Sequence, residues 1–96
     1  MPAAFWIAHV AVHDAKAYGR YATLATDAIA EHGGEFLARA TRHVTLEGPD
    51  RKRHVVARFP SLEAAVACYN SPAYQAALEH AKGAAERDLV VVEAGE

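Results

Sequence analysis

Residues 59–80 read FPSLEAAVACYNSPAYQAALEH, and they hold two helix starts within one short span. Pro60-Ser61 interrupts a strand-like run, and Ser61 is placed to cap a short helix whose inward face is Leu62, Ala65, Val66 and Tyr69. Ser71 offers a second cap, with Pro72 in the first helical position, where a missing N–H costs nothing. Proline also pushes Ser71 out of the helical region, so the first helix must end there. The stretch predicts a two-piece helix, its second part running from Pro72 towards Arg87.

Outward from this stretch the pattern alternates between strand and helix. HVVARF (54–59) reads as a strand, preceded by the turn GPDRKR (48–53). EFLARA (35–40) reads as its partner, extended by HVTLEG (43–48) after a bend near Thr41. FWIAHVAV (5–12) is a strand apolar on both alternating phases. Asp14 then caps a long helix with an apolar stripe of Tyr18, Tyr21, Ala22, Ala25, Ala28, Ile29 and His32. Gly33-Gly34 ends it, because glycine adopts the left-handed conformation cheaply. DLVVVE (88–93) is the last strand. The order β-α-β-β-α-β implies one α+β domain over residues 1–96, a ferredoxin-like sandwich with an antiparallel sheet and its helices on one face.

Two helices cover only one face of such a sheet. Strand phasing assigns Trp6, Phe36, Ala38, Ala40, Val55, Ala57 and Phe59 to the covered side. The other side then mixes Ile7, Leu37 and Val56 with His9, Arg39 and Arg58, too apolar for plain solvent and too charged for a closed core. A second copy packed sheet to sheet would bury it, so a homodimer through the face carrying His9, Arg39 and Arg58 is expected.

Bulk composition excludes several functions. Of the 96 residues 52% are hydrophobic and 23% charged, with a net charge of −2, which gives no field suited to nucleic acid or an anionic membrane. The basic run Arg51-Lys52-Arg53-His54 reads as a solvated hairpin loop rather than an anion site. A single cysteine, Cys68, permits no internal disulfide, and with no cationic neighbour in sequence it reads as an inert thiol. MPAAFWIAHV lacks the basic region of a signal peptide and the length of a membrane span, so a cytoplasmic location is expected. His9 and His13 would lie about 13 Å apart on a strand and cannot share a metal. No metal site and no cofactor are expected.

At AFWIAHV (4–10), HGGEFLAR (32–39), LEG (46–48), FPSLEAA (59–65) and YNSPAYQ (69–75), in this order and spacing, the chain resembles the DUF1330 family. The resemblance spans nearly the whole length, and it implies a dimeric α/β barrel in which two ferredoxin-like subunits pack sheet against sheet. The family is one of unknown function, so the resemblance brings no reaction. The chain departs from the family pattern at Arg58, Cys68, Ala73 and Ala81.

Trp6, Tyr21, His32 and Tyr69 are the candidate ligand-binding residues, since the strand phase and helical stripes aim all of them at the layer between sheet and helices. His32 is the candidate acid–base group, imidazole being the side chain that exchanges protons near neutral pH. Two functions fit: a cofactor-independent enzyme of the monooxygenase or isomerase type acting on a small planar organic molecule, or a non-catalytic binding or interaction dimer. An open cavity between helices and sheet favours the first, and a filled one the second.

Overall fold

A computed structural model describes residues 2–95. The elements are β1 (Ala4–Val12), α1 (Ala15–Glu31), β2 (Glu35–Arg39), β3 (Arg53–Phe59), α2 (Leu62–Asn70), α3 (Pro72–Ala81) and β4 (Ala85–Glu93). The strands form one antiparallel sheet in the order β2-β3-β1-β4, with α1 packed on α3 and α2 packed on the sheet. This is the ferredoxin-like sandwich that the element order implies.

Ser71 divides the late helical segment. Its backbone is extended, at φ −69° and ψ 150°. Its Oγ accepts a 3.1 Å hydrogen bond from the Tyr74 N–H and donates a 2.7 Å bond to the Cys68 carbonyl. One hydroxyl therefore closes α2 and opens α3. Asp14 and Ser61 cap α1 and α2 through the amides of Ala17 and Ala64.

At the end of α1, Gly33 takes φ +82° and Gly34 passes close to the core. A Cβ on Gly34 would stand 2.5 Å from Ile29 Cγ2 and 2.8 Å from the Phe59 ring. The chain can turn into β2 here only because that side chain is absent.

Several sequence expectations are corrected. Helix α3 stops at Ala81 instead of running towards Arg87, since Lys82 is extended and Gly83 has φ +74°. Strand β4 consequently starts at Ala85, and its full length pairs with β1 from Val12↔Ala85 to Ala4↔Glu93. The HVTLEG extension of β2 does not form: the chain leaves the sheet at Ala40, which has φ +53°. The inward residues of α2 are Ala65 and Cys68, while Val66 and Tyr69 are partly exposed.

The largest correction concerns β2. Phe36 pairs with Ala57, but Ala38 pairs with Val56 and Arg39 with Val55, so Leu37 is an extra, bulged residue. A bulge shifts every following side chain to the opposite face. Ala38 therefore sits on the open face, and Arg39 turns under α1, where it donates a 2.6 Å hydrogen bond to Thr26 Oγ1. Arg39 is not part of the open sheet face.

The layer beneath the helices holds Trp6, Ala8, Val10, Val55, Ala57 and Phe59, all buried. Trp6 meets Phe59 at 5.5 Å and Tyr74 edge-on at 5.2 Å between ring centroids, spacings that add about 0.5–1.5 kcal/mol per pair beyond simple burial.

Candidate ligand-binding cleft

Val10 lies between Arg53 on β3 and Arg87 on β4, its partners on either side. All three belong to the helix-facing phase, so two guanidinium groups flank an apolar residue beneath α1. The Arg53 guanidinium lies 5.5 Å from the centre of the Tyr18 ring, and that of Arg87 lies 4.6 Å from the centre of Tyr21. Both rings project from successive turns of α1, 4.9 Å apart.

Arg87 donates to the phenol oxygens of Tyr21 and Tyr74 at 2.8 and 3.0 Å. Those two oxygens are themselves 2.5 Å apart, so one phenol donates to the other. Burial, reinforced by the neighbouring phenol, holds Tyr21 far above the ordinary phenol range despite Arg87. Burial also raises Tyr74, against the opposing effect of Arg87. For Arg87 burial disfavours the charge, but the two tyrosines outweigh it, and the group stays protonated. At neutral pH the cluster therefore consists of hydrogen-bond donors, with no base among them.

Tyr18, Tyr21, Arg53 and Arg87 border a cleft between sheet and helices. Trp6, Tyr18, Tyr21 and Phe36 supply its aromatic wall, Ala8, Ala22, Ala25, Ile29 and Val55 its aliphatic floor and rim, and Thr26, Arg39, Arg53 and Arg87 its polar tips. Arg39 stacks 4.4 Å from the centre of Phe36. Atom-free space in the cleft, mouth included, is about 350 Å³, yet only about 20 Å³ is wide enough for the centre of a water molecule. The cleft is a narrow slot, with room for about one water in its present shape.

The four candidate residues fall into two groups. Trp6 and Tyr21 line the cleft. Tyr69 touches the same aromatic cluster, 6.2 Å from Trp6, but faces a separate apolar groove with Leu62, Val66, Leu89, Val90 and Val91. His32 caps the end of α1, where Nδ1 donates to the Ala28 carbonyl at 2.9 Å. Cys68 is buried under α2, and its thiol is pushed up to about 11 by burial, with Glu31 adding to the effect. Among the described residues no group of three histidine, cysteine or acidic side chains is arranged to hold a metal ion.

Sequence reasoning missed Tyr18, Phe36, Arg39, Arg53 and Arg87 as cleft residues. For Arg53 and Arg87 a signal was present. Counting back by twos from Val55 reaches Arg53, and from Val91 and Leu89 it reaches Arg87, so the alternation placed both inward once the strands were long enough. The basic run is accordingly split: Arg51 pairs with Asp88 and Lys52 with Asp50, while Arg53 belongs to the cleft.

A four-stranded antiparallel sheet under helices, with an arginine-tipped aromatic slot between the layers, defines a ferredoxin-like α+β protein. Residues 3–95 match the model for DUF1330, a domain of unknown function, and the chain belongs to that family. No curated protein matches it significantly. Among solved structures it is similar to a protein of unknown function from Rhodopseudomonas palustris, at 20% identity and a TM-score of 0.79, covering 99% of this chain and 84% of that one. It is similar in fold to SnoaB, a cofactor-independent oxygenase from Streptomyces nogalater, at 10% identity and TM-score 0.71, covering 100% and 96% of the two chains. A third similar structure is a dimeric ferredoxin-like protein of unknown function from Thermobifida fusca, at 17% identity and TM-score 0.64, covering 97% and 92%.

Proposed function

We propose that the protein is a homodimer that binds a small planar organic molecule in the cleft of each subunit. The observation that carries this is the slot itself: flat aromatic walls of Trp6, Tyr21 and Phe36, an alanine-rich rim and a few polar tips, the combination that selects flat ligands. Because the slot as it stands has room for about one water, a flat ligand enters only if the rim side chains move apart. None of the lining side chains is a carboxylate, imidazole or thiol that could act as a base. Any turnover would depend on the reactivity of the ligand itself; SnoaB, similar in fold, is a cofactor-independent oxygenase.

The dimer is supported by the open sheet face. Val56, Ile7 and Val90 form one row across it, Arg58, Phe5 and Val92 the next, and His54, His9 and Asp88 a third. His9 and His54 meet at 2.7 Å through their Nδ1 atoms. Val90 and Val92, on the edge strand β4, are about half exposed in the single subunit, at 54% and 47%, which is costly for apolar side chains left in water.

Thermal-shift titration with flat aromatic compounds tests the cleft, because a ligand of the native state raises Tm by mass action. The decisive variant is Ala22→Leu, which fills the slot from its rim and leaves the aromatic wall in place. A shift in the wild type that vanishes in Ala22→Leu supports the assignment; a shift of equal size in both removes the ligand from this cleft.

A further inference from the structure

The cleft holds three arginines and no acid. Among the described residues none of Arg39, Arg53 and Arg87 is in a salt bridge, although Arg51, Lys52 and Lys82 nearby in sequence all pair with carboxylates. Hydrogen bonding is unbalanced in the same sense. The Nε atoms of Arg53 and Arg87 are buried without a partner. Of the two hydroxyl hydrogens on Tyr21 and Tyr74 only one is used between the phenols, while both oxygens already accept from Arg87. Donors thus exceed acceptors, and positive charge exceeds negative, on one side of a slot with apolar walls. Leaving buried donors unmade is expensive, and uncompensated cations packed together repel. Such an arrangement persists where an incoming group supplies what is missing, and the group that supplies charge and acceptor oxygens together is an oxyanion.

We infer that the cleft takes an organic carboxylate, its anionic head seated between Arg53 and Arg87 over Val10 and its flat body lying against Trp6 and Phe36. This deepens the planar-ligand assignment and rests on it for the body of the molecule, but not for the head; seating the body requires the slot, which now has room for about one water, to widen. The guanidinium fork matches a carboxylate in two parallel bonds, which favours this anion over a spherical one. Each guanidinium lies over a tyrosine ring, and Arg87 is also tied to two phenol oxygens, so part of the side-chain freedom is already lost before binding.

Calorimetric titration of the full chain with benzoate, its neutral isostere benzamide, and acetate separates head from body. Benzoate is expected to bind about tenfold or more tightly than benzamide, with the preference lost in Arg53→Met. Arg53 makes no hydrogen bond to the tyrosine cluster, so this variant leaves that network intact; circular dichroism checks its fold, and Arg53→Gln replaces it if it does not fold. Equal binding of benzoate and benzamide would overturn the anionic head and leave the flat-ligand assignment standing. Binding of acetate without benzoate would support the head and remove the planar body. Binding of none of the three, or a benzoate preference unchanged in the Arg53 variants, overturns the inference.

Discussion

Arg87 on β4 donates a 2.8 Å hydrogen bond to the phenol oxygen of Tyr21 on α1, joining the last strand to the first helix across 66 positions of sequence. The contact anchors α1 over the cleft, and it is charge-assisted. Tyr21→Phe removes that acceptor while keeping the ring, and should lower stability by about 1.5–3 kcal/mol. Tyr21→Ala also empties ring volume and should cost about 3–5 kcal/mol. Urea denaturation of the two variants measures the difference; a Tyr21→Phe midpoint equal to that of the wild type would mean that the hydroxyl contributes nothing.

Alkaline pH should unfold the protein earlier than its composition suggests. Tyr21, Tyr74 and Cys68 all titrate above their ordinary ranges in the fold. The unfolded chain releases these protons near pH ~8.5 for the thiol and ~10 for the phenols. Their contribution is therefore fully present below those values and is lost as pH rises above them towards the raised folded-state values, by up to about 1.4 kcal/mol per pH unit for each group. Denaturation midpoints measured from about pH 8 to pH 10.5 should fall, and Tyr74→Phe should flatten the upper part of the decline.

Ser71→Ala tests the helix junction. Without its Oγ, the Tyr74 amide loses its capping acceptor and the Cys68 carbonyl loses a donor. A loss of about 1 kcal/mol is expected in the denaturation midpoint, while Ser71→Asp, which keeps the capping oxygen, should recover most of it.

Gly34→Ala tests the close approach at the end of α1. The added methyl group falls within contact of Ile29 and Phe59, both core residues, and a destabilisation of about 1–3 kcal/mol is expected. Gly19→Ala, whose Cβ meets nothing within 4 Å, should be neutral or stabilising, since alanine is the better helix former. A drop in Tm for the first and none for the second is the pattern that calorimetry should return.

Light scattering at micromolar concentration should give twice the chain mass. Val56→Asp places a carboxylate at the centre of the open sheet face and should return a folded monomer. A wild type that elutes as a monomer would remove the dimer and with it the sheet-to-sheet assembly.

The sequence by itself determined the parts whose causes are local. Asp14, Ser61 and Ser71 start helices, Pro72 forbids a continuous one, and Gly33-Gly34 ends α1, because each acts on amides or dihedrals within a few residues of itself. The two-residue alternation of β1 and β3 likewise separated Trp6, Val55 and Phe59 from Ile7 and Val56, and with it the covered face from the open one. Only the tertiary structure decided how far the strands run and where alternation slips. Strand β4 gains Ala85–Arg87 because β1 offers partners for nine residues, and the bulge at Leu37 exists only in the pairing of β2 with β3. Those two pairings turn Arg87 and Arg39 under α1 beside Arg53. Inter-strand hydrogen bonds join residues far apart in the chain, so the direction of a side chain near a strand end is set by its partner strand and not by its neighbours in sequence.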